Sequence, residues 1–259
     1  MDGAHELSGR IEVRGILGTA VEELGLRVAG GTWAEGEVIP READLLEELR
    51  VSRSVVREAI RILSAKGMLR SRTSDGTRVR PRSDWRLLDP DVMAWRIRGG
   101  DRRRLLHDLL QLRLVLEPGV ARTATMIASD EARSAVADAW QAKVDVYEND
   151  DLPDDLRRRH FIETDLEFHR ALLACVSSEL LEQLFSVIEA ALELLLDLQM
   201  QARGYTAKMI GMSESHSVHA AVYEAFEARD PDAAEAAMRV LIQAAIDDAV
   251  LGFKLLDKD

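Results

Sequence analysis

The 259 residues are enough for two domains of ordinary size, and a content of 47% hydrophobic and 31% charged residues excludes a disordered chain. No apolar run reaches bilayer length and the first ten residues lack the apolar core of a secretion signal, so a cytoplasmic protein is expected. The single cysteine, Cys175, permits no internal disulfide and reads as a small buried apolar residue, while a net charge of −12 looks unfavourable for a phosphate-bearing partner.

That charge is unevenly placed. Residues 1–81 hold thirteen acidic and thirteen basic side chains, so the whole acidic excess lies beyond them. Between positions 50 and 82, ten basic side chains stand against only Glu58 and Asp75. A basic patch on an acidic chain is an electrostatic footprint for nucleic acid.

In chain order, a first helix is expected over 14–30, closed by Gly30-Gly31, followed by a turn leading to Val38-Ile39-Pro40. A second covers 41–49, with Leu45, Leu46 and Leu49 on one face. Ser52 is placed to cap a third helix that runs to about Lys66. In it Val56, Ala59, Ile60 and Leu63 recur at i, i+3, i+4 and i+7, which is a buried stripe. After Gly67, residues 68–80 read as a hairpin turning at Ser74-Asp75-Gly76. Three helices and a hairpin make a winged helix-turn-helix over 10–80. A connecting segment over 81–100 comes next, with Pro81, Pro90, Trp85 and Trp95.

Beyond it the pattern is helical throughout, over 101–128, 130–149, 154–176, 178–202, 213–229 and 231–256. Asp101, Ser129-Asp130, Ser177-Ser178, Ser213 and Asp230 sit at helix starts, and Pro231 suits a first helical position. Short connections make neighbours antiparallel, so 101–256 reads as an antiparallel all-α bundle. The fold class is mostly α.

Two sets of residues carry chemistry. On the third helix Arg53, Arg57 and Arg61 lie four apart, a ridge opposite the apolar stripe, with Ser54 beside them. Guanidiniums near a helix start suit the acceptors of guanine in a major groove, and Ser52, Ser54 and the first backbone N–H groups suit phosphate. A solvated helix face is the plain alternative, but the hairpin is basic too, and Gly76 at its tip allows close approach to a sugar-phosphate edge. In the second half Asp165 and His169 are i, i+4 on one helix and His219 could complete a two-histidine, one-carboxylate set. Such a set suits zinc, nickel, manganese or iron, although an Asp-x-x-x-His pair alone is more often a hydrogen bond. Arg113 sits amid leucines and needs an anionic partner, either Glu117 or the carboxylate of a bound effector.

Residues 36–79 resemble the DNA-binding domain of the GntR family of bacterial regulators. The likeness is carried by Gly36, Ile39-Pro40 and Glu42, by Val51-Ser52-Arg53-Ser54-Val55-Val56-Arg57-Glu58-Ala59-Ile60, by Lys66-Gly67-Met68-Leu69, and by Gly76-Thr77 with Val79. It implies that Ser52, Arg53, Ser54, Arg57 and Gly76 contact DNA. One departure is Ala43, where the family often has an arginine. Residues from about Leu105 to Leu251 resemble the family's FCD effector domain, through Leu112-Arg113 with Glu117-Pro118, Asp165 with Phe168-His169, His219 with Tyr223, and Ala228-Arg229-Asp230-Pro231. That likeness implies a divalent metal on Asp165, His169 and His219 and an effector carboxylate on Arg113. The family's further histidine falls at Leu241, which cannot ligate, so positions would stay open for water or effector oxygens. The segment Trp85–Trp95 is most like that of the galactonate-operon repressor group, which implies a sugar acid or a related hydroxy or keto acid.

The expected protein is therefore no enzyme but a homodimeric, ligand-responsive repressor that binds a palindromic operator in double-stranded DNA and senses a small carboxylate in a metal-assisted pocket. The same architecture with a metal-free pocket for an acyl compound stays open because of Leu241. A two-histidine, one-carboxylate metal enzyme would explain neither the basic ridge nor the wing.

Overall fold

The computed structural model describes residues 15–72, 75–149, 151–202 and 212–256; Ser74 of the expected turn lies outside them. The chain divides into two units, the first ending at Leu105 and the second beginning at Leu106. It is mostly helical, and each unit is built as the patterning requires.

In the first unit, α1 (Gly15–Ala29) buries Ala20, Val21, Leu24, Val28 and Ala29, one stripe of a helix of period 3.6. Helix α2 (Glu42–Leu49) turns through Arg50, held in the left-handed region at φ 55°, into α3 (Arg53–Ala65). Ser52 caps α3 by accepting a hydrogen bond from the Val55 backbone N–H, and α3 buries Val56, Ala59, Ile60 and Leu63. Strands β1 (Leu69–Arg72) and β2 (Gly76–Val79) pair antiparallel, with Leu69 opposite Val79 and Arg72 opposite Gly76. The segment around Val38, expected only as a turn exit, adds a third edge to this wing. Val38 bridges to Arg78, and the backbone N–H groups of Gly36 and Ile39 donate to Val79 and Thr77.

The connecting segment differs most from expectation. Residues 81–100 are built into the first unit through a single 3-10 turn at Arg82–Asp84 and a helix, α4 (Pro90–Arg98). Trp85, Val92 and Trp95 belong to the same buried cluster as Leu24, Leu63 and Met68. Asp89 caps α4, and together with Asp91 it takes the buried ammonium of Lys66 at the end of α3, at 2.7 and 2.9 Å. Trp95 lies against α1 at Gly25 and donates its indole N–H to Glu22 at 2.9 Å. Two tryptophans and two aspartates give this stretch enough to bury and pair, so it does not behave as a tether.

The second unit holds α5 (Arg102–Ile127) from Leu106 onward, α6 (Asp130–Glu148), α7 (Asp154–Ala174), α8 (Glu179–Ala202), α9 (Met212–Glu227) and α10 (Pro231–Leu256). Sequence neighbours α6 and α7, α7 and α8, and α9 and α10 pack together, and α6 meets α9. Ser129 caps α6, and Asp230 accepts from the Ala233 backbone N–H at the start of α10, with Pro231 its first residue. Asp101 precedes α5 as expected, and its carboxylate takes Arg82 and Arg96. Pro118 lies within α5, which continues past it. Cys175 is a free thiol and buried, in keeping with its reading as a small apolar residue. Among the described residues no helix is long and apolar enough to cross a membrane.

Gly25 is the tightest point of the first unit's helix packing: a Cβ there would lie 2.4 Å from the Trp95 ring. Glycine to alanine inside a helix ordinarily stabilises by about 1 kcal/mol. Gly25→Ala reverses that sign, because the clash must move a buried indole, and overpacking costs about 1–3 kcal/mol. Gly119→Ala in α5, where nothing lies within 4 Å, keeps the favourable sign. Denaturant unfolding of the two variants reads the contrast.

Candidate functional site

The first candidate surface is the exposed side of α3 with the wing. Arg53, Arg57 and Arg61 all point away from the buried stripe and are exposed, as are Ser52 and Ser54. The three arginines are not equivalent. Arg61 is clamped by Glu58 on its own helix. Arg57 donates to Glu42 of α2 at 2.8 Å, with its side chain 62% exposed. Arg53 has no ion-pair partner among the described residues. Ser52 and Ser54 share a hydroxyl–hydroxyl bond of 2.9 Å at the helix start. In the wing Arg70 and Arg72 are exposed, whereas Arg78 is held by Asp75 and the Gly36 carbonyl, and Arg80 by Asp84. Gly76 adopts φ 72°, which a side chain would strain, and Val38 lies close beneath it. Ala43 on α2 leaves its position without a charge.

The exposed ion pairs matter little for stability. Glu42 is a partner that the ridge pattern did not show, because it belongs to a different helix.

The second candidate is a cluster of charged groups inside the helical unit. Asp165, His169 and His219 converge, with one ligand atom of each within 4.8 Å of the others. Both histidines are buried, and Phe168 packs edge-on against each ring. The His219 Nδ1–H donates to the Ser215 backbone carbonyl at 2.7 Å. That bond fixes the tautomer, since a carbonyl can only accept, and it leaves the Nε2 lone pair facing Asp165 Oδ1 at 3.0 Å. Two acceptors at that distance repel unless a positive charge stands near them. His169 places Nδ1 2.6 Å from Glu117 Oε2, though at an angle outside hydrogen-bond geometry, and Nε2 3.9 Å from Asp165. The Nε2 atoms of both rings are buried without a hydrogen-bond partner among the described residues.

A residue that sequence reasoning missed supplies charge here. Lys143 of α6 is 2% exposed, and its ammonium donates to Asp165 Oδ1 at 2.7 Å while lying over the Phe161 ring. Burial alone would push the Asp165 carboxyl up, but the Lys143 ammonium holds it well below the usual carboxylate range. Burial and the neighbouring Lys143 together push His219 down to about 4, so its ring is neutral near pH 7.

Arg113 is buried, as expected, and the structure seats Glu117 as its partner through Nε with Oε1 and Nη2 with Oε2. Burial works to raise the Glu117 carboxyl, but Arg113 and His169 bring it down to about 2. His216 is half-buried near the start of α9. Its ring stacks on Tyr147 at 4.1 Å and on Trp140 at 5.1 Å, and burial lowers its pKa. Leu241 is buried in α10.

The model of bacterial regulatory proteins of the gntR family matches residues 18–79, and the FCD domain model matches residues 108–244. The chain belongs to the gntR family, with an FCD domain as its second unit. It is 29% identical to the galactonate operon transcriptional repressor of Escherichia coli over 219 residues, 85% of this chain and 90% of that one. It is 31% identical to the transcriptional repressor NanR of Cronobacter sakazakii, covering 84% of this chain and 79% of that one. A solved Listeria monocytogenes structure, titled for Lar and its control of the agr system, superposes with a TM-score of 0.57 at 12% identity. That match covers 92% of this chain and 97% of the other, and it shows the shared fold. The protein is a DNA-binding transcriptional regulator and not an enzyme, as family and relatives agree.

Arg113 and Glu117 are both nearly sealed from water, so removing one strands the other. Arg113→Met alone should cost about 3–5 kcal/mol, the usual penalty for breaking a buried pair from one side. Arg113→Met with Glu117→Met should recover a large part of that loss. Chemical denaturation of the two variants measures both.

Proposed function

We propose that this regulator is a homodimeric repressor of a carbohydrate-acid catabolic operon, released from or tuned on a palindromic operator by a sugar acid or a similar hydroxy or keto carboxylate. In this reading Ser52, Arg53, Ser54, Arg57 and Gly76 meet the DNA. Arg53 reads a base edge and Arg57 exchanges Glu42 for a phosphate or base. The family, and relatives named for galactonate and for the NanR repressor, support the direction of this reading. A two-fold dimer would set its recognition helices roughly 34–36 Å apart, one turn of duplex.

The observation that carries the effector site is the pair of buried, unpartnered histidine Nε2 atoms facing one carboxylate. Two imidazole nitrogens and a carboxylate oxygen fit a borderline divalent ion such as zinc, nickel, manganese or iron. Asp165, His169 and His219 would hold that ion, and its chemistry would be to bind a carboxylate with an adjacent hydroxyl as a Lewis acid. The Ser215 carbonyl already orients His219, as an outer partner does at metal sites. Arg113 would offer its guanidinium to the effector carboxylate while keeping Glu117 as its resident counter-charge.

Two measurements test the proposal. Binding to a duplex selected from a random pool should weaken steeply with salt, and Arg53→Ala with Arg57→Ala should abolish specific binding while leaving the unfolding midpoint unchanged. Retained specific binding would remove the α3 reading. Protein prepared without chelator should contain a divalent metal that Asp165→Ala and His169→Ala lose, together with the thermal shift produced by sugar acids. Unchanged metal content and an unchanged shift would overturn the metal-assisted pocket.

A further inference from the structure

Lys143 has no part in the pattern that points to the ligand set, yet it touches that set directly. It stands on α6, while the ligand candidates stand on α7 and α9. Its ammonium is buried to 2% exposure, bonded to Asp165 Oδ1 at 2.7 Å and 4.6 Å from the Phe161 ring centroid. The oxygen it uses is the same one that faces His219 Nε2 at 3.0 Å. A lysine so placed cannot be a solvated stem that happens to pass by.

The charges around the site are paired: Arg113 with Glu117, Lys143 with Asp165, and the buried Glu189 with the half-exposed Arg170. His169 and His219 bring nitrogens rather than negative charge. A divalent cation entering beside an intact Lys143–Asp165 pair would leave two positive charges uncompensated in a site with little water, and such charge is costly. The oxygen facing His219 is the one already bonded to the ammonium, whereas Oδ2 lies 3.9 Å from His169 Nε2. Leu241, buried where the family resemblance expects a further histidine, supplies no extra donor to offset this.

We propose that the Lys143 ammonium is a resident counter-ion of Asp165 that a divalent metal must displace, so that Lys143 sets how tightly Asp165, His169 and His219 take the metal. This rests on the metal reading above and adds to it a built-in competitor. The metal-free state is then a defined, charge-balanced state, not a damaged site. Metal and an anionic ligand should favour each other, because the anion offsets the charge that the metal brings.

The test uses the full chain and zinc ion alone, titrated in competition with a chromophoric chelator. Lys143→Met, which keeps the apolar stem, should bind zinc at least tenfold more tightly than the native protein, and Lys143→Gln should do the same. Asp165→Ala should bind none. In the native protein the 15N resonance of the Lys143 ammonium should shift when zinc saturates the site, a readout that needs no variant to fold. If both lysine variants bind zinc no more tightly than native protein and the resonance does not move, the competitor role is overturned while the metal site stands. If native protein and both lysine variants alike fail to bind zinc, the metal reading and this inference fall together.

Discussion

A charge taken out of water must find a counter-charge, and the buried cations of this protein decide which helices are tied together. Lys66 closes α3 and reaches the two aspartates that open α4. Lys143 on α6 reaches Asp165 on α7. Arg113 pairs with Glu117 within α5, and Glu117 in turn lies against His169 of α7. Breaking such a pair from one side costs far more than an exposed bridge, so these contacts act as fixed points. The surface pairs of α3 and the wing have the opposite character: open to water, easily broken, and available for exchange.

The consequence in the first unit is that α3 and α4 share one core and one buried ion pair. Trp95 lies against Gly25 of α1, Trp85 and Val92 lie in the shared core, and Lys66 bridges the end of α3 to the start of α4. A stretch with prolines between two domains invites description as a tether. Here it is part of the DNA-binding unit up to its last turn, after which Gly99-Gly100 leads into α5, with Gly100 at φ 96°.

In the helical unit the same constraint makes one carboxylate the meeting point of three helices. Asp165 is shared by Lys143, His219 and, at longer range, His169. Its ionised state is what lets the Lys143 ammonium be buried there. The tautomer of His219 is settled by a backbone carbonyl one turn earlier on α9, so its site-facing nitrogen is available as a lone pair. The aromatic stack of Trp140, His216 and Tyr147 extends from the same helices without sharing that chemistry.

By itself, the sequence determined what depends on neighbours three or four residues away. The stripe of Val56, Ala59, Ile60 and Leu63, the Ser52 and Ser129 caps, Pro231 at a helix start and the Asp165–His169 pairing are all of that kind, because helix periodicity and end effects are local. Residue type made His219 a candidate third member, and only the family resemblance singled it out as one that converges on the pair. Tertiary structure alone decided the rest: Val38 as an edge of the wing, the folding of residues 81–98 onto α1, Glu42 as the holder of Arg57, and Lys143 as the partner of Asp165. In sequence Lys143 stands between Ala142 and Val144 on an amphipathic helix, like any solvated lysine. It becomes a buried counter-ion because α6 packs on α7 across twenty-two residues, and no local pattern encodes a pairing at that separation.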